Sequence, residues 1–209
     1  MKTDELIDKL SHSLRPQSHR PLWHDYIRWV VISILAIAMG VSLMGLRDDL
    51  GHAVLDGWFQ YESLFFLSFG LVCAWIAIMA GRPDQRFGPL SKSFLILGIF
   101  GWGAFLVRAF KGEPFDFAAA APGWSCFMAV ILFSMIPTIF LFRKLRQMAP
   151  TSLAQTGLWA TSSVGILSAL GVNLICSNSD GEHLLIWHFA PVLMISLVGF
   201  ALGRFMLKW

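Results

Sequence analysis

The sequence predicts an all-α, polytopic membrane protein with six transmembrane helices, short loops and a short N-terminal amphipathic helix. Of the 209 residues, 56% are hydrophobic and only 14% are charged, whereas soluble domains carry roughly 45–50% apolar and about 25% charged residues. The mean hydropathy is +0.64. A water-soluble core cannot bury so much apolar surface in so short a chain, so a lipid bilayer is the expected environment.

Six stretches of the chain approach the roughly 20 mostly apolar residues that a helix needs to cross a bilayer. They are Ile27–Leu46, Ser63–Ala80, Ser93–Val107, Trp124–Phe142, Ala154–Ile175 and Leu184–Gly203. The third ends at Arg108, whose side chain is expected to reach toward the membrane interface. Pro137 and Pro191 predict kinks in the fourth and sixth stretches. The chain therefore divides into a cytoplasmic N-terminal segment, residues 1–26, and a six-helix transmembrane domain, residues 27–209.

The basic residues predict how the helices are oriented. Thirteen of the 16 Lys and Arg residues lie in the N-terminal segment, at the very start of the first stretch (Arg28), in the loops after the second and fourth stretches, and in the C-terminal tail. The other three are Arg47, Arg108 and Lys111, in the opposite loops. Because cytoplasmic loops are enriched in Lys and Arg, both termini are expected in the cytoplasm and the protein in a bacterial inner membrane.

The residues outside the six stretches offer little for catalysis. No G-x-x-x-x-G-K, H-E-x-x-H or G-x-S-x-G motif occurs, and the predicted loops are too short for a soluble catalytic domain. Acidic residues are nearly absent from the six stretches, with Glu62 at the start of the second one, whereas transporters usually carry ionisable groups at membrane depth. The sequence therefore predicts no enzyme, no constitutive cofactor and no direct binding of nucleic acid.

The N-terminal segment predicts a helix with one apolar face. The residues of that face, at helical spacing, are Leu6, Ile7, Leu10 and Leu14. A helix of about 12 residues is marginal alone in water, so this face needs a partner. Two partners are open, the lipid surface or a protein. The segment leads with Asp4 and Glu5, whereas helices that lie on lipid are usually rich in Lys and Arg, which favours a basic protein partner.

With this orientation, Cys126 and Cys176 lie at the periplasmic ends of the fourth and fifth stretches, on the oxidising side of the membrane. Three interpretations remain open: two unrelated small residues, a redox pair, or a site for a soft metal ion such as Zn²⁺, Cd²⁺ or Cu⁺. His183 and His188 follow at the outer start of the sixth stretch, either as interfacial hydrogen-bonding residues or as further ligands. Cys73 falls in mid-span and is expected to be a small buried hydrophobic residue.

These features together resemble the NrsF-type family of membrane anti-sigma factors, the negative regulators of extracytoplasmic-function (ECF) sigma factor F. The resemblance covers essentially the whole chain. It rests on the opening Met1-Lys-Thr-Asp-Glu-Leu-Ile7, on a Cys followed by a Pro-containing span and a basic loop, and on a Cys-x6-His-x4-His pattern that begins at Cys176. In one departure, Cys176 is followed by Ser177 where the family commonly has Pro and then an acid.

The resemblance implies a protein that holds an ECF sigma factor at the membrane and releases it under heavy-metal or oxidative stress. Both outer cysteines would then be needed for the response, and the apolar face of the N-terminal helix would bind the sigma factor. Two other functions stay open from the residues. One is a membrane redox protein that passes electrons between periplasmic thiols and quinone, although the C-x-x-C pair expected for it is absent. The other is a small permease or assembly subunit.

Overall fold

The structure, a computed structural model, describes residues 3–13, 21–83, 89–110 and 122–208. Within these ranges the chain is helical and contains no β-strand. In chain order, the helices are α1 (Thr3–Ser13), α2 (Leu22–Met44), α3 (Leu50–Ala53), α4 (Gly57–Ala80), α5 (Pro89–Ala109), α6 (Trp124–Gln147), α7 (Leu153–Asn173), α8 (Gly181–Leu184) and α9 (Ala190–Met206). A π-helix, Leu185–Phe189, joins α8 to α9. The predicted all-α class is confirmed.

Each predicted apolar stretch lies within or close to a long helix, and several of these helices extend beyond the apolar residues. Helix α2 begins at Leu22, ahead of the predicted start at Ile27. Helix α4 begins at Gly57, where Asp56 caps it by accepting a 3.0 Å hydrogen bond from the N–H of Phe59. Polar residues at such ends can remain helical because caps and water satisfy the terminal backbone groups.

Five helices are long and apolar enough to cross a membrane, as expected for a membrane protein. They are α2, α4, the segment Lys92–Ala109 of α5, α6, and the continuous segment Gly181–Met206 that contains α8, the π-helix and α9. The sixth long helix, α7, packs against α2, α4, α6 and α9, and most of its residues are buried. Because protein surrounds α7, it needs no apolar surface toward lipid. Its many Ser, Thr and Gly residues face other helices instead.

Helices α7 and α9 make a close backbone contact through three glycines. A Cβ atom added to Gly157 would lie 2.3 Å from the carbonyl oxygen of Gly199. One added to Gly203 would lie 2.5 Å from the carbonyl oxygen of Leu153. Small residues allow helices in membranes to approach this closely, so these glycines set the distance between the two helices.

Contacts between helix ends define the two ends of the bundle. At one end the backbone N–H of Arg47, just after α2, donates a 3.1 Å hydrogen bond to the carbonyl of Leu174, just after α7. At the opposite end, Lys144 near the end of α6 forms a 3.1 Å ion pair with Asp25 near the start of α2. The Leu174 end also contains Cys126, Cys176 and both predicted histidines, and we call it the Cys/His end.

The two proline-containing helices behave differently. Helix α6 runs from Trp124 to Gln147 through the buried Pro137 without interruption. In the last long helix the irregularity lies just before Pro191, as the π-helix Leu185–Phe189. Because proline has no backbone N–H, the carbonyl one turn before Pro191 lacks its usual partner, and a π-turn changes the pairing of the carbonyls in that region. A widened turn therefore lies just before Pro191, where the sequence predicted a kink.

Helix α1 matches the predicted N-terminal helix in position. Ile7, on the predicted apolar face, is 59% exposed. The backbone of Leu6 and Leu10 is helical, but their side chains, and the whole of Leu14, lie outside the described residues. The partner of this face stays a prediction.

Candidate functional site

The structure brings the four outer cysteine and histidine residues into one cluster. Cys126 comes from the first turn of α6, Cys176 from the loop after α7, His183 from α8 and His188 from the π-helix. All four side chains are buried, and their ligand atoms lie within 4.8 Å of one another. We call this set the Cys/His cluster. The residues alone did not show whether Cys126 and Cys176 lie close together. In the fold they do, as free thiols.

Cys176 is the centre of these contacts. Its Sγ lies 3.4 Å from Nε2 of His183 and 3.7 Å from the backbone carbonyl oxygen of Asn178. Interaction with the neighbouring Cys126 thiol, followed by His183 and His188, lowers the pKa of Cys176 although burial opposes the shift. The lowered pKa of Cys176 favours the negative thiolate form that a soft metal ion or an oxidant requires.

The π-helix explains why both histidines reach the same cluster. In an α-helix, residues five positions apart point about 140° away from each other. A π-helix has i→i+5 hydrogen bonds, which bring such residues toward one face. The ring centroids of His183 and His188 are accordingly 5.7 Å apart. Trp187, between them in sequence, packs instead against Trp124 with ring centroids 5.2 Å apart.

Gly123, just before α6, allows this packing. A Cβ atom there would lie 2.4 Å from the Trp187 ring and 2.7 Å from Cε1 of His183. A larger residue would push α6, and with it Cys126, away from the histidines.

The ring of His188 is fully buried, and neither of its nitrogens makes a hydrogen bond. Burying an unpaired polar group is unfavourable by about 1–3 kcal/mol. The imidazole lies beside Cys176 without a hydrogen bond at ordinary distance, so its nitrogens are available to a further ligand. A metal ion bound between His188 and the thiols would be such a ligand.

The donor set fits a soft ion of the Zn²⁺ or Cd²⁺ class. Two thiolates and two imidazoles are a common tetrahedral ligand set. With Zn–S near 2.3 Å and Zn–N near 2.0 Å, tetrahedral donors lie about 3.3–3.8 Å apart. Donors already within 4.8 Å of one another need to move inward by only about 1 Å.

A cavity of about 290 Å³ reaches the cluster. Its lining includes both thiol residues, His183, Gly123 and Asn178. An ion or a small thiol reagent can therefore approach Cys126 and Cys176 from this end of the molecule.

Two arginines hold the loop that carries Cys176, residues 174–180. Nη2 of Arg47 donates to the carbonyl oxygen of Ser177 at 3.1 Å and to Oγ of Ser179 at 3.3 Å. Nη2 of Arg108 donates to the carbonyl oxygen of Ser179 at 2.5 Å, and its Nη1 pairs with the fully buried Glu62. Arg108 thus contacts protein groups at this end of the bundle.

Sequence reasoning missed this role for Arg47, Arg108 and Glu62. The usable signal was their predicted side of the membrane. Arg47 and Arg108 are two of the three basic residues outside the set predicted to be cytoplasmic, and Glu62 is an acid at the same predicted end.

Two other predicted sites lie elsewhere. Cys73 is fully buried in α4 within a hydrophobic core, which confirms its predicted role as a small buried residue. The predicted sigma-binding positions belong to the N-terminal segment. Helix α1 of that segment comes before α2 in the chain, and the start of α2 lies at the end of the bundle opposite the Cys/His cluster.

Comparison with known proteins identifies the family. Residues 10–209 match the family described as NrsF, Negative regulator of sigma F. Over the full length of both chains, the sequence is 24% identical to the Probable anti-sigma-F factor NrsF of Azospira oryzae. It is 26% identical to the Anti-sigma-F factor NrsF of Caulobacter vibrioides, again with both chains fully covered. No solved structure gives a significant match.

The family match covers nearly the whole chain, including α2–α9 and the complete Cys/His cluster. The chain therefore belongs to the NrsF family of negative regulators of sigma F, which are regulatory proteins and not enzymes.

Proposed function

We propose that this chain is an inner-membrane anti-sigma factor that sequesters an ECF sigma factor and releases it when the Cys/His cluster binds a heavy metal or is oxidised. Membership of the NrsF family supports the sigma-factor partner. It also favours a regulator over the thiol/quinone redox protein and the permease or assembly subunit. The observation that carries the sensing role is the buried convergence of two thiols and two imidazoles.

The proposed topology has six spans, with both termini in the cytoplasm. Helix α7 is the sixth span, since α2, α4, α6 and α9 pack around it. The excess of Lys and Arg in the termini and the loops after α4 and α6 supports the orientation. Arg47 and Arg108, which belong to the loops with few basic residues, both contact the Cys176 loop. In the proposed topology the Cys/His cluster would therefore lie at the periplasmic face.

The sigma factor is proposed to bind the N-terminal segment in the cytoplasm. Its contact surface is the apolar face formed by Leu6, Ile7, Leu10 and Leu14. The exposed Ile7 supports a face available to a partner. Acidic residues in the first turn of α1, Asp4 and Glu5, suit a basic surface on that partner. The loops Gly81–Lys92 and Arg143–Ser152 are candidates for additional contact.

Metal binding has enough free energy to switch such a complex. Changing occupancy from 99% to 1% requires a preference of about 5.5 kcal/mol for the released state. Structural thiolate sites bind Zn²⁺ with energies on the order of 10 kcal/mol. Cys126, Cys176, His183 and His188 would hold the ion, and drawing their donors together would link α6, the Cys176 loop and the start of the last long helix.

Oxidation is the alternative stimulus at the same residues. The Cys126 thiol and the Cys176 thiolate would together give two electrons to a periplasmic oxidant such as hydrogen peroxide, which takes up the Cys126 proton and one proton from solvent and becomes two water molecules as the S–S bond forms. The interaction between the two sulfurs supports this reaction. The histidines distinguish metal binding from oxidation. Metal binding would use His188 as a ligand, whereas formation of an S–S bond would not require it.

Cadmium binding to the full chain in detergent tests the metal interpretation. We expect one Cd²⁺ per chain, detected by thiolate-to-metal absorbance in the ultraviolet, and loss of that absorbance in a Cys126→Ser, Cys176→Ser variant. Cys73→Ala is the matched control and should bind normally. Absence of binding, or binding that survives removal of both outer thiols, would contradict a metal sensor at this cluster.

A further inference from the structure

Arg47 connects the Cys176 loop to the helix that leads to the N-terminal segment. It lies three residues after the end of α2 and is 7% exposed. Its backbone N–H bonds to Leu174, and its guanidinium bonds to Ser177 and Ser179. One residue thus contacts the Cys176 loop at three positions.

The guanidinium is fixed in place by its own short loop. Nε and Nη2 of Arg47 donate to the two carboxylate oxygens of Asp49 at 2.6 and 2.8 Å, and the guanidinium carbon lies 5.6 Å from the centre of the Phe59 ring. Bidentate pairing with a carboxylate constrains a guanidinium much more than a single contact would. A displacement of the Cys176 loop is therefore passed to the outer end of α2.

The other anchor of the same loop has a different connection. Arg108, at the end of α5, bonds to Ser179 and to Glu62 of α4. Neither α4 nor α5 is continuous along the chain with the N-terminal segment, although Tyr26 donates a 3.2 Å hydrogen bond to the carbonyl oxygen of Leu71 in α4. The two arginines therefore provide a natural comparison, since both hold the loop but only Arg47 directly follows α2 in the chain.

The inner end of α2 is placed to pass a movement on. Asp25, in its first turn, is buried and paired with Lys144 of α6 at 3.1 Å. The chain that precedes Leu22 leads back to α1. Movement of α2 along or about its axis would change both this ion pair and the position of the N-terminal segment.

We propose that Arg47 is the positioning residue that transmits occupancy of the Cys/His cluster to α2, and through α2 to the N-terminal segment. This inference rests on the proposed function, because it takes the cluster to be the site where the stimulus acts. It adds the route: the signal enters α2 through the Cys176 loop, in addition to any movement of α6.

Hydrogen–deuterium exchange of the full chain in detergent, with and without Cd²⁺, measures this transmission without the sigma factor. Thiolate-to-cadmium absorbance gives the occupancy of the cluster in the same samples. In the unmodified chain, saturating Cd²⁺ should change the exchange of residues 22–30, at the inner end of α2. In Arg47→Gln, Cd²⁺ should still bind, and at least half of that exchange change should be lost; the backbone bond to Leu174 remains.

The comparison variant is Arg108→Gln combined with Glu62→Gln, so that no buried carboxylate is left unpaired. It loosens the same loop and should weaken Cd²⁺ binding, but at full occupancy the exchange change at residues 22–30 should match the unmodified chain. If Arg47→Gln does not fold, Arg47→Lys replaces it. Lysine keeps the charge but cannot reach Asp49 and the Cys176 loop together, so it should lose the exchange change as well.

The outcomes separate this inference from the proposed function. If the unmodified chain binds no Cd²⁺, the metal sensor itself is wrong. If it binds Cd²⁺ but residues 22–30 do not respond, or if Arg47→Gln responds as fully as the unmodified chain, transmission through Arg47 is wrong while the sensor stands. Equal losses in the two arginine variants would also overturn it, because Arg47 would then only hold the loop.

Discussion

Sγ of Cys176 lies 3.4 Å from Nε2 of His183, although a loop and the first turn of α8 separate them in the chain. This contact places an imidazole beside the thiol that interacts with Cys126. In the proposed function, a chemical change outside the membrane would therefore act first on the Cys176 loop.

His188→Ala should weaken Cd²⁺ binding by at least about tenfold, because it removes a ligand whose nitrogens have no other partner. Competition with a chromophoric chelator measures the affinity. His52→Ala, an exposed histidine in the short helix α3, is the control and should bind normally. Unchanged affinity in His188→Ala would show that His188 is not a ligand of the metal.

Alkylation of Cys176 should depend only weakly on pH, since its neighbours lower its pKa and keep it as a thiolate. A free thiol, with a pKa near 8.5, would react roughly 75-fold more slowly at pH 6 than at pH 8. Labelling of intact cells with a membrane-impermeant maleimide, read by peptide mass spectrometry, measures the rate.

Cys126→Ser is the informative comparison for that experiment, because it removes the largest contribution to the shift and should restore the normal pH dependence. A steep pH dependence in the unmodified chain would show that Cys176 is not a thiolate. Labelling that requires broken cells would place the cluster on the cytoplasmic side.

Leu10→Asp should weaken sigma-factor binding by about 2 kcal/mol or more, roughly thirtyfold, because it puts a charge on the apolar face of α1. Pull-down with the full chain, followed by titration, measures the loss. Glu5→Gln removes one charge from the same helix at an exposed position off that face and should weaken binding much less than Leu10→Asp, because the apolar face stays intact. Equal binding by both variants would exclude the proposed face.

Gly157→Ala should destabilise the bundle by about 1–3 kcal/mol, since the added methyl would lie 2.3 Å from the backbone oxygen of Gly199. Thermal unfolding in detergent gives the change. Gly103→Ala, where no neighbouring atom lies within 4 Å of the added carbon, should be neutral or slightly stabilising. If both variants unfold at the same temperature, α7 and α9 are not packed through these glycines.

Much of the helical architecture was predictable because membrane helices are marked by composition. Trp124 and Ala80 are helix ends in both the sequence prediction and the structure. Length and composition identify five of the six predicted spans. Helix α7 is less distinct because its Ser, Thr and Gly residues pack against protein. Its central position depends on contacts with four other helices, which one helix's composition does not contain.

The site was predictable in its residues but not in its geometry. Topology placed Cys126 and Cys176 at one membrane face, and spacing placed His183 and His188 nearby. The side chains of His183 and His188 point to the same cluster because of the π-helix. In a regular α-helix, residues five positions apart would point away from each other. The contacts that Arg47 and Arg108 make with the Cys176 loop join residues more than 70 positions apart in the chain, and no local pattern indicates them.

The most direct test of the account is the amount of sigma factor retained by the purified full chain before and after addition of Cd²⁺. The unmodified protein should hold the sigma factor without the metal and release most of it at saturation. A Cys126→Ser, Cys176→Ser variant should hold it equally under both conditions, and Cys73→Ala should behave like the unmodified protein. Release that persists without the two outer thiols would contradict the account.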